Sequence, residues 1–266
     1  MNGIGAGHPE QADGRPSDHF SDHFSAVAAQ YASARPDYPP ALFDWIAGIA
    51  PARGRVWEAG CGSGQATGGL ASVFADVFAT DPSAQQIAQA PDIGNARFAM
   101  EPAERCSLAD ASVDAVCVAQ ALHWFDRGAF FAECARMLRP GGVLVAWGYQ
   151  DIEVPDALRD SVGAFAARIR DAWPAERHLV DRAYADIAFP FEAVEAAVPP
   201  PAGIAVAWPL LRLLDYFSSY SAVKRYREAH GVDPVAAHAW AIAQAWGDAG
   251  PVPLRWPLFV HARRKV

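Results

Sequence analysis

The chain has 266 residues, 52% of them hydrophobic, so it is long enough to bury a full core without disulfide support. Acidic residues outnumber basic ones by 30 to 22, and the net charge of -8 argues against nucleic acid or anionic membrane as a partner. No apolar run reaches the ~20 residues of a membrane-spanning helix, and residues 1–15 lack the apolar segment of a signal peptide. We therefore expect a cytoplasmic protein.

Four cysteines without a C-x-x-C pair are expected to be buried reduced thiols, and the sequence predicts no metal site. Arginine accounts for almost all of the basic residues. Alanine is also abundant, and the two features together hint at a bacterial source. The basic residues Arg263, Arg264 and Lys265 near the C-terminus are interpreted as a solvated tail.

The first elements in chain order precede the glycine-rich part of the sequence. Residues 1–17 have the composition of a disordered tail, and residues 18–31 carry apolar side chains at helical spacing. The prolines of residues 35–40 end that helix and predict an extended crossing. A second amphipathic helix follows over residues 42–53.

Residues 56–147 predict alternating strands and helices. The strands are expected to begin at residues 56, 77, 96, 113 and 143, with helices at 84–90 and 130–138 between them. Such alternation indicates a parallel sheet with helices on both faces, and ligands of these sheets bind beyond the carboxyl ends of the strands. Four candidate site residues fall at those ends: Glu58, Asp81, Gln120 and Trp147.

The stretch after the first strand reads E-x-G-x-G-x-G over residues 58–64. Its glycines allow a sharp turn that presents backbone N–H groups, and Glu58 adds an acceptor for a cationic or hydroxylated ligand. Dinucleotide sites use G-x-G-x-x-G, and no G-K-[ST] follows, which excludes a P-loop. A turn of this kind can also serve packing alone.

Asp81 ends the second apolar run, 23 residues after Glu58. Its carboxylate can accept hydrogen bonds from both ribose hydroxyls of a nucleoside. With Pro82 in the first turn of the next helix, Asp81 can also be the N-cap of that helix. Both roles can hold together.

Five segments between residues 54 and 150 together resemble class I S-adenosylmethionine-dependent methyltransferases. E-A-G-C-G-S-G-Q at 58–65 resembles the first motif, T-D-P-S at 80–83 the ribose-binding acid, and M-E-P-A-E at 100–104 the adenine-flanking segment. Residues 114–125 and 137–144 resemble the fourth strand with its loop and the following helix, turn and strand. In the adenine segment, Glu101 and Pro102 replace the commoner Gly-Asp. Residues 31–39, 123–125 and 256–258 resemble the small-molecule branch that includes trans-aconitate methyltransferase.

The resemblance implies an α/β fold: a Rossmann-like, doubly wound, seven-stranded and mostly parallel sheet whose last strand is antiparallel, with a helical cap. The cofactor domain would span residues 18–150 and include an N-terminal lid helix. The cap and sheet-completing elements would span 151–253, with a strand at 191–198, and residues 254–266 would form the last strand and the basic tail. A monomer or a homodimer is expected.

The implied cofactor is S-adenosylmethionine, leaving S-adenosylhomocysteine as product, with no metal. The lid would place an aromatic face near the sulfonium, or would only pin the arm to the domain. The residues expected to contact the cofactor are Tyr31, Arg35, Tyr38, Glu58, Gly60, Cys61, Gly62, Gly64, Gln65, Asp81, Pro82, Ala103, Glu104 and Gln120.

Trp124, Trp147 and Tyr149 are expected to wall the acceptor pocket, completed by cap residues such as Trp173, Tyr216, Tyr220 and Arg225. His123 is a candidate general base, or a structural histidine hydrogen-bonded to backbone or cofactor. The implied reaction is O-methylation of a carboxylate or hydroxyl of a small organic molecule. An N- or C-methyltransferase, or a non-catalytic S-adenosylmethionine-binding module, remains open, while the glycine spacing disfavours a dehydrogenase.

Overall fold

The computed structural model describes residues 35–266, so Tyr31 and the predicted lid helix lie outside the described residues. The strands are β1 (Arg55–Ala59), β2 (Asp76–Thr80), β3 (Ala96–Ala99), β4 (Val113–Ala119), β5 (Leu138–Tyr149), β6 (Glu192–Ala193), β7 (Gly203–Trp208) and β8 (Val252–Arg264). The helices are α1 (Pro40–Ile49), α2 (Thr67–Ala71), α3 (Ala84–Ile87), α4 (Arg127–Met137), α5 (Asp156–Ile169), α6 (Arg177–Asp181), α7 (Leu210–Ser218), α8 (Ser221–His230) and α9 (Pro234–Trp246). Short 3₁₀ turns cover Leu122–Trp124 and Arg170–Ala172.

The sheet has the order β3-β2-β1-β4-β5-β8-β6, and β7 pairs with β8 beside this path. Strands β1 to β5 run parallel, and β8 runs antiparallel to β5. The predicted Rossmann-like sheet with an antiparallel last strand is therefore confirmed. The strand order reverses between β1 and β4, so the carboxyl ends of these two strands border one cleft.

The sheet differs from the prediction at the cap side. Within residues 35–266 it has eight strands rather than seven. The strand predicted at 191–198 is reduced to the two residues of β6, and β7 forms instead at Gly203–Trp208, after the prolines of residues 199–201. Proline offers no N–H for a ladder, so pairing along β8 resumes only beyond that run.

Two apolar layers sandwich the sheet, and β5 shows how the sequence separates them. Val143, Val145 and Trp147 face a layer built from α1, α2 and the cap helices, whereas Leu144 and Ala146 face a layer that includes α4 and α6. This alternation follows from the two-residue period of a strand. Side chains on β5 therefore divide between the two apolar layers.

The cap helices begin and end where local chemistry allows. The side chain of Asp233 accepts from the N–H groups of Val235 and Ala236, and Pro234 occupies the first turn of α9. On α5 the apolar residues Leu158, Val162, Phe165 and Ile169 are buried, and Phe165 is stacked on Phe217 of α7 at 4.6 Å between ring centroids. The cap thus has its own aromatic core against the sheet.

The basic C-terminus is not a solvated tail. Arg264 lies in β8 and donates to the carbonyls of Gly141 and Ile49, at 2.7 and 2.8 Å. The Lys265 ammonium donates to the carbonyls of Ala135 and Leu138, at 2.6 and 2.7 Å. These carbonyls belong to the end of α4 and the start of β5, where cations are favoured.

Candidate functional site

The three glycines after β1 all have positive φ, at 69°, 56° and 86° for Gly60, Gly62 and Gly64. Their surroundings differ. A Cβ on Gly60 would lie 2.8 Å from Ala121 Cβ and from Phe125, whereas one on Gly62 would have no neighbour closer than 3.9 Å. Gly60 is therefore required for packing against the β4 loop, and Gly62 leaves open space above the turn.

The carboxyl group of Glu58 lies beneath this turn and is 1% exposed. Its Oε2 accepts from the Thr67 hydroxyl at 2.6 Å, while Oε1 has no hydrogen-bond partner in the described part of the chain. Burial, and secondarily the Asp81 charge, raise the pKa of Glu58 to about 8 despite the Thr67 hydrogen bond. A buried acceptor without a partner is costly unless a ligand satisfies it.

Asp81 supports the turn directly. Its Oδ2 accepts from the Gly62 N–H at 3.0 Å and its Oδ1 from the Ser83 N–H at 2.8 Å. The N-cap of α3 is Ser83, whose hydroxyl accepts from Gln86, so the N-cap role expected for Asp81 is wrong. Pro82 likewise precedes the helix and is exposed. Each Asp81 oxygen keeps a lone pair for a further donor.

Gln120, at the end of β4, holds a left-handed backbone conformation with φ of 54°. Its amide pairs with the backbone of Tyr149 in both directions: Nε2 donates to the carbonyl at 3.1 Å, and Oε1 accepts from the N–H at 3.0 Å. The intervening Gly148 has no room for a Cβ, which would meet Gln120 Oε1 at 2.1 Å. Gln120 therefore fixes the ends of β4 and β5 relative to each other.

His123 is 8% exposed, and its Nδ1 lies 2.9 Å from the Tyr184 hydroxyl. Desolvation, with the nearby Arg177 charge, lowers the pKa of His123 to about 4. The imidazole is therefore neutral at pH 7. Within residues 35–266 its second nitrogen, Nε2, has no hydrogen-bond partner.

A cavity of about 190 Å³ opens beside His123. It brings together five predicted site residues, Arg35, Gln120, His123, Trp124 and Tyr149, with residues from the cap. The cap residues that line this small cavity are Trp173, Pro174, Arg177, Val180, Tyr216, Tyr220 and Ser221. The cleft predicted from the strand ends thus continues under the cap.

The remaining predicted contacts occupy several environments. Gln65 donates to the Pro36 carbonyl at 2.9 Å, which joins the turn to the N-terminal crossing, and Tyr38 is buried edge-on against Trp147. Trp147 is fully buried and does not line the small cavity, whereas Trp124 is 57% exposed at its rim. Tyr38 and Trp147 therefore support the site from below.

The side chains of Cys61 and Ala103 are also buried, which places them in packing contacts. Burial raises the pKa of the Cys61 thiol, so it remains protonated at neutral pH. Glu104 accepts from the Asp126 N–H at 2.9 Å and so anchors the start of α4. As predicted, the four cysteines are free and buried.

Two residues at the site escaped the sequence analysis. Tyr184 follows the short helix α6 with a φ of 58°, and Arg177 begins that helix. Arg177 forms ion pairs with Asp151 and Asp181 and lies 4.3 Å from the Trp173 ring centroid. The segment lacks the periodicity of a strand or long helix, so the sequence did not predict that these side chains lie at the cleft.

Comparison with known proteins agrees with this geometry. A family model described as a methyltransferase domain matches residues 57–146, which include the glycine turn, Asp81 and Gln120. A solved structure from Anaeromyxobacter dehalogenans, described as a type II methyltransferase, superposes with a TM-score of 0.80 at 41% identity over 87% of this chain and 98% of that one. The chain belongs to the class I S-adenosylmethionine-dependent methyltransferases.

Two relatives extend the match to other organisms. A Dictyostelium discoideum protein named as a methyltransferase is 29% identical over 256 residues, covering 92% of this methyltransferase and 96% of the relative. An uncharacterised methyltransferase of Mycobacterium tuberculosis is 38% identical over 134 residues, about half of each chain.

Among the described helices of this methyltransferase, none combines the length and apolarity that crossing a bilayer requires. Residues 35–266 likewise contain no group of three or more His, Cys, Asp or Glu side chains arranged to hold a metal ion.

Proposed function

We propose that this methyltransferase binds S-adenosylmethionine over the glycine turn and methylates an oxygen atom of a small organic acceptor. The cofactor supplies an electrophilic methyl group on a positively charged sulfur. The observation that carries the proposal is the buried Glu58 carboxyl, whose Oε1 has no partner within residues 35–266 and lies beneath the turn that Gly62 leaves open.

Glu58 and Asp81 have the chemistry that this cofactor needs. A cationic or hydroxylated group of the ligand would satisfy Glu58 Oε1, and the remaining lone pairs of Asp81 suit two ribose hydroxyls. Gly62 allows close approach because nothing fills the position of its Cβ. Gly60 holds the turn against Ala121 and is assigned no contact with the ligand.

The low pKa of His123 favours a methyl acceptor that does not need to lose a proton. With its pKa lowered to about 4, the imidazole is a weak base at pH 7 and is poorly suited to take a proton from a phenol or an amine. A carboxylate acceptor requires no base. We therefore assign His123 a hydrogen-bonding role, and the resemblance to the trans-aconitate methyltransferase branch supports a small acid as acceptor.

Besides the hydrogen bond assigned to His123, the chain positions the acceptor and excludes water from the cavity. Tyr149, Trp173 and Tyr220 surround the small cavity, and Gln120 holds the strand ends that carry it. Holding an acceptor in line with a donor can supply up to ~7–11 kcal/mol in favourable reactions.

The test is calorimetric titration of the full chain with S-adenosylmethionine and S-adenosylhomocysteine. We expect micromolar binding that Asp81→Ala weakens at least tenfold, because a charge-assisted contact is worth roughly 1.5–3 kcal/mol. Asp81→Asn keeps the shape of the turn, so its affinity should fall between those of the native chain and Asp81→Ala. Asp92→Ala, which removes an exposed carboxylate from a nearby loop, is the matched control. Lack of binding by the native chain, or a preference for NAD, would refute the proposal.

A further inference from the structure

We propose that the small cavity is a carboxylate subsite, in which Tyr220, His123 and Arg177 bind the carboxylate of a small acid as hydrogen-bond donors. This assignment names the substrate class of the proposed function and rests on that function for the reaction. The capacity of the cavity to bind an anion does not depend on the cofactor.

The charged residues that line the small cavity are basic, although the chain as a whole is acidic. The chain has a formal net charge of -8, yet the small cavity is lined by two arginines, Arg35 and Arg177, and by no aspartate or glutamate in the part of the chain described. Asp151 and Asp181, which pair with Arg177, line a neighbouring, larger cavity that shares this arginine with the small one. A ligand in the small cavity therefore meets the arginine without a carboxylate among the described lining residues.

Arg177 has a donor left for a ligand. Its Nε donates to Asp181 at 2.6 Å and its Nη2 to Asp151 at 2.5 Å, while Nη1 has no hydrogen-bond partner within residues 35–266. The two carboxylates and the Trp173 ring, 4.3 Å away, hold the guanidinium in place. A pre-positioned guanidinium loses little entropy when it binds a carboxylate.

Tyr220 lines the cavity, and its hydroxyl carries a hydrogen that a ligand can accept. The indole Nε1 of Trp256 can only donate, and it donates to the Tyr216 oxygen at 2.8 Å. The Tyr216 hydrogen is therefore directed away from Trp256, and the Tyr220 ring lies 5.0 Å from the Tyr216 ring. Tyr220 can thus serve as a donor to a ligand.

His123 also lines the cavity, and its Nδ1 lies 2.9 Å from the Tyr184 hydroxyl. When that hydroxyl donates to Nδ1, the neutral imidazole carries its hydrogen on Nε2. An anionic ligand selects this tautomer, in which His123 is a donor to the cavity.

The N-terminus of helix α8 also favours a negatively charged ligand in the cavity. Ser221, its first residue, lines the cavity, and the first turn of this ten-residue helix contains no acidic side chain. Three side-chain donors, an arginine charge and a helix N-terminus therefore converge in a space of about 190 Å³. An anion with several acceptor lone pairs satisfies these donors, whereas an ammonium group would be repelled by the Arg177 charge.

The experiment compares three probes of one shape: benzoate, benzamide and benzylamine. Each is titrated into the full chain saturated with S-adenosylhomocysteine, and binding is measured by calorimetry and by ligand-observed NMR. We expect benzoate to bind at least tenfold tighter than benzamide, and benzylamine to bind weakest. Tyr220→Phe should weaken benzoate about tenfold while it leaves the affinity for S-adenosylhomocysteine unchanged.

Tyr226→Phe is the matched control, because Tyr226 is a buried tyrosine of the adjoining helix that does not line the cavity. Equal effects of the two variants on benzoate would overturn the subsite, as would benzylamine binding as tightly as benzoate, or no binding of benzoate up to its solubility limit. Benzoate binding by a chain that fails to bind S-adenosylhomocysteine would refute the proposed function and leave the subsite standing.

Discussion

Glu58 combines full burial, one satisfied oxygen and one unsatisfied oxygen. Burial is the main reason that its pKa rises from 4.5 to about 8. The unfolded chain gives up this proton above pH 4.5, whereas the folded, ligand-free protein keeps it until about pH 8. The contribution of Glu58 to stability is therefore fully present at low pH and is lost as the pH rises toward 8.

We predict that Glu58→Gln stabilises the ligand-free protein at pH 8 relative to the native chain and changes its stability much less at pH 5. Each unit of pKa shift corresponds to ~1.4 kcal/mol, so the difference between the two pH values should be roughly 3 kcal/mol. Urea denaturation at both pH values measures it. If the variant is no more stable than the native chain at pH 8, Glu58 is ionised in the fold.

Asp114 offers the matched control for this prediction. It is as buried as Glu58, but its carboxylate accepts from the N–H groups of Gly54 and Arg55 and pairs with Arg139 at 2.6 Å. Asp114→Asn removes a satisfied charge, so it should destabilise the protein at both pH values.

Gln120 is a further residue whose role depends on its backbone. Its left-handed conformation is unfavourable for a side chain other than glycine, at a cost of ~1–2 kcal/mol. Two hydrogen bonds to the Tyr149 backbone offset that cost. Strain of this kind is maintained where an element must end in one geometry, and here it sets the edge of the small cavity.

At the scale of elements, the glycine turn and the crossing segment form one unit. Gln65 binds the Pro36 carbonyl, Asp81 binds the Gly62 N–H, and the Gly60 and Cys61 N–H groups both donate to the Thr80 carbonyl. The turn is thus joined to β2 and to the segment that precedes α1. Changes in one glycine can therefore act either on this framework or on the ligand.

Gly60→Ala and Gly62→Ala should separate these two effects. Both place a side chain at positive φ, which costs ~1–2 kcal/mol. Only Gly60→Ala also forces contacts of 2.8 Å with Ala121 and Phe125, so it should lose a further ~1–3 kcal/mol of stability. Gly62→Ala should remain folded and lose most of its affinity for S-adenosylhomocysteine, because its Cβ occupies the open space above the turn.

Thermal denaturation and calorimetric titration of the two glycine variants check this prediction. Undiminished cofactor affinity in Gly62→Ala would show that the open space does not hold the ligand. Equal stability of the two variants would mean that Ala121 and Phe125 move aside at little cost.

At the scale of the whole molecule, β8 links the cofactor half to the cap. Residues 252–257 pair with β7, and residues 258–264 pair with β5. Trp256 lies in the first part and donates to Tyr216. Arg264 ends the second part and Lys265 follows it, and their side chains bind carbonyls near α1 and α4. The last residues of the chain therefore contribute to both layers of the core.

We predict that Lys265→Met destabilises the protein by about 1–2 kcal/mol, because it removes two hydrogen bonds from an ammonium group to backbone carbonyls. Lys224→Met is the matched control, since Lys224 is the only other lysine and its side chain is exposed on α8. Chemical denaturation of both variants gives the comparison. Equal stabilities would show that the C-terminus is as loosely held as the sequence suggested.

Some features of this protein could be predicted because they depend on local pattern. The alternation of strands and helices, the turn at Gly60, Gly62 and Gly64, and the acids Glu58 and Asp81 are written in residue order and spacing. Parallel strands place their carboxyl ends together whatever the details of packing. The class of sheet and the position of its cleft therefore followed from the sequence alone.

Other features were decided only by tertiary contacts. No spacing brings Tyr184 to His123, 61 residues away, or directs Trp256 to Tyr216, 40 residues away. The sequence likewise does not distinguish Gly60, which packs, from Gly62, which leaves space. Hydrogen-bond direction and pKa depend on which partners meet in the folded chain and how far water is excluded. For that reason, the polarity of the small cavity emerged only from the three-dimensional arrangement.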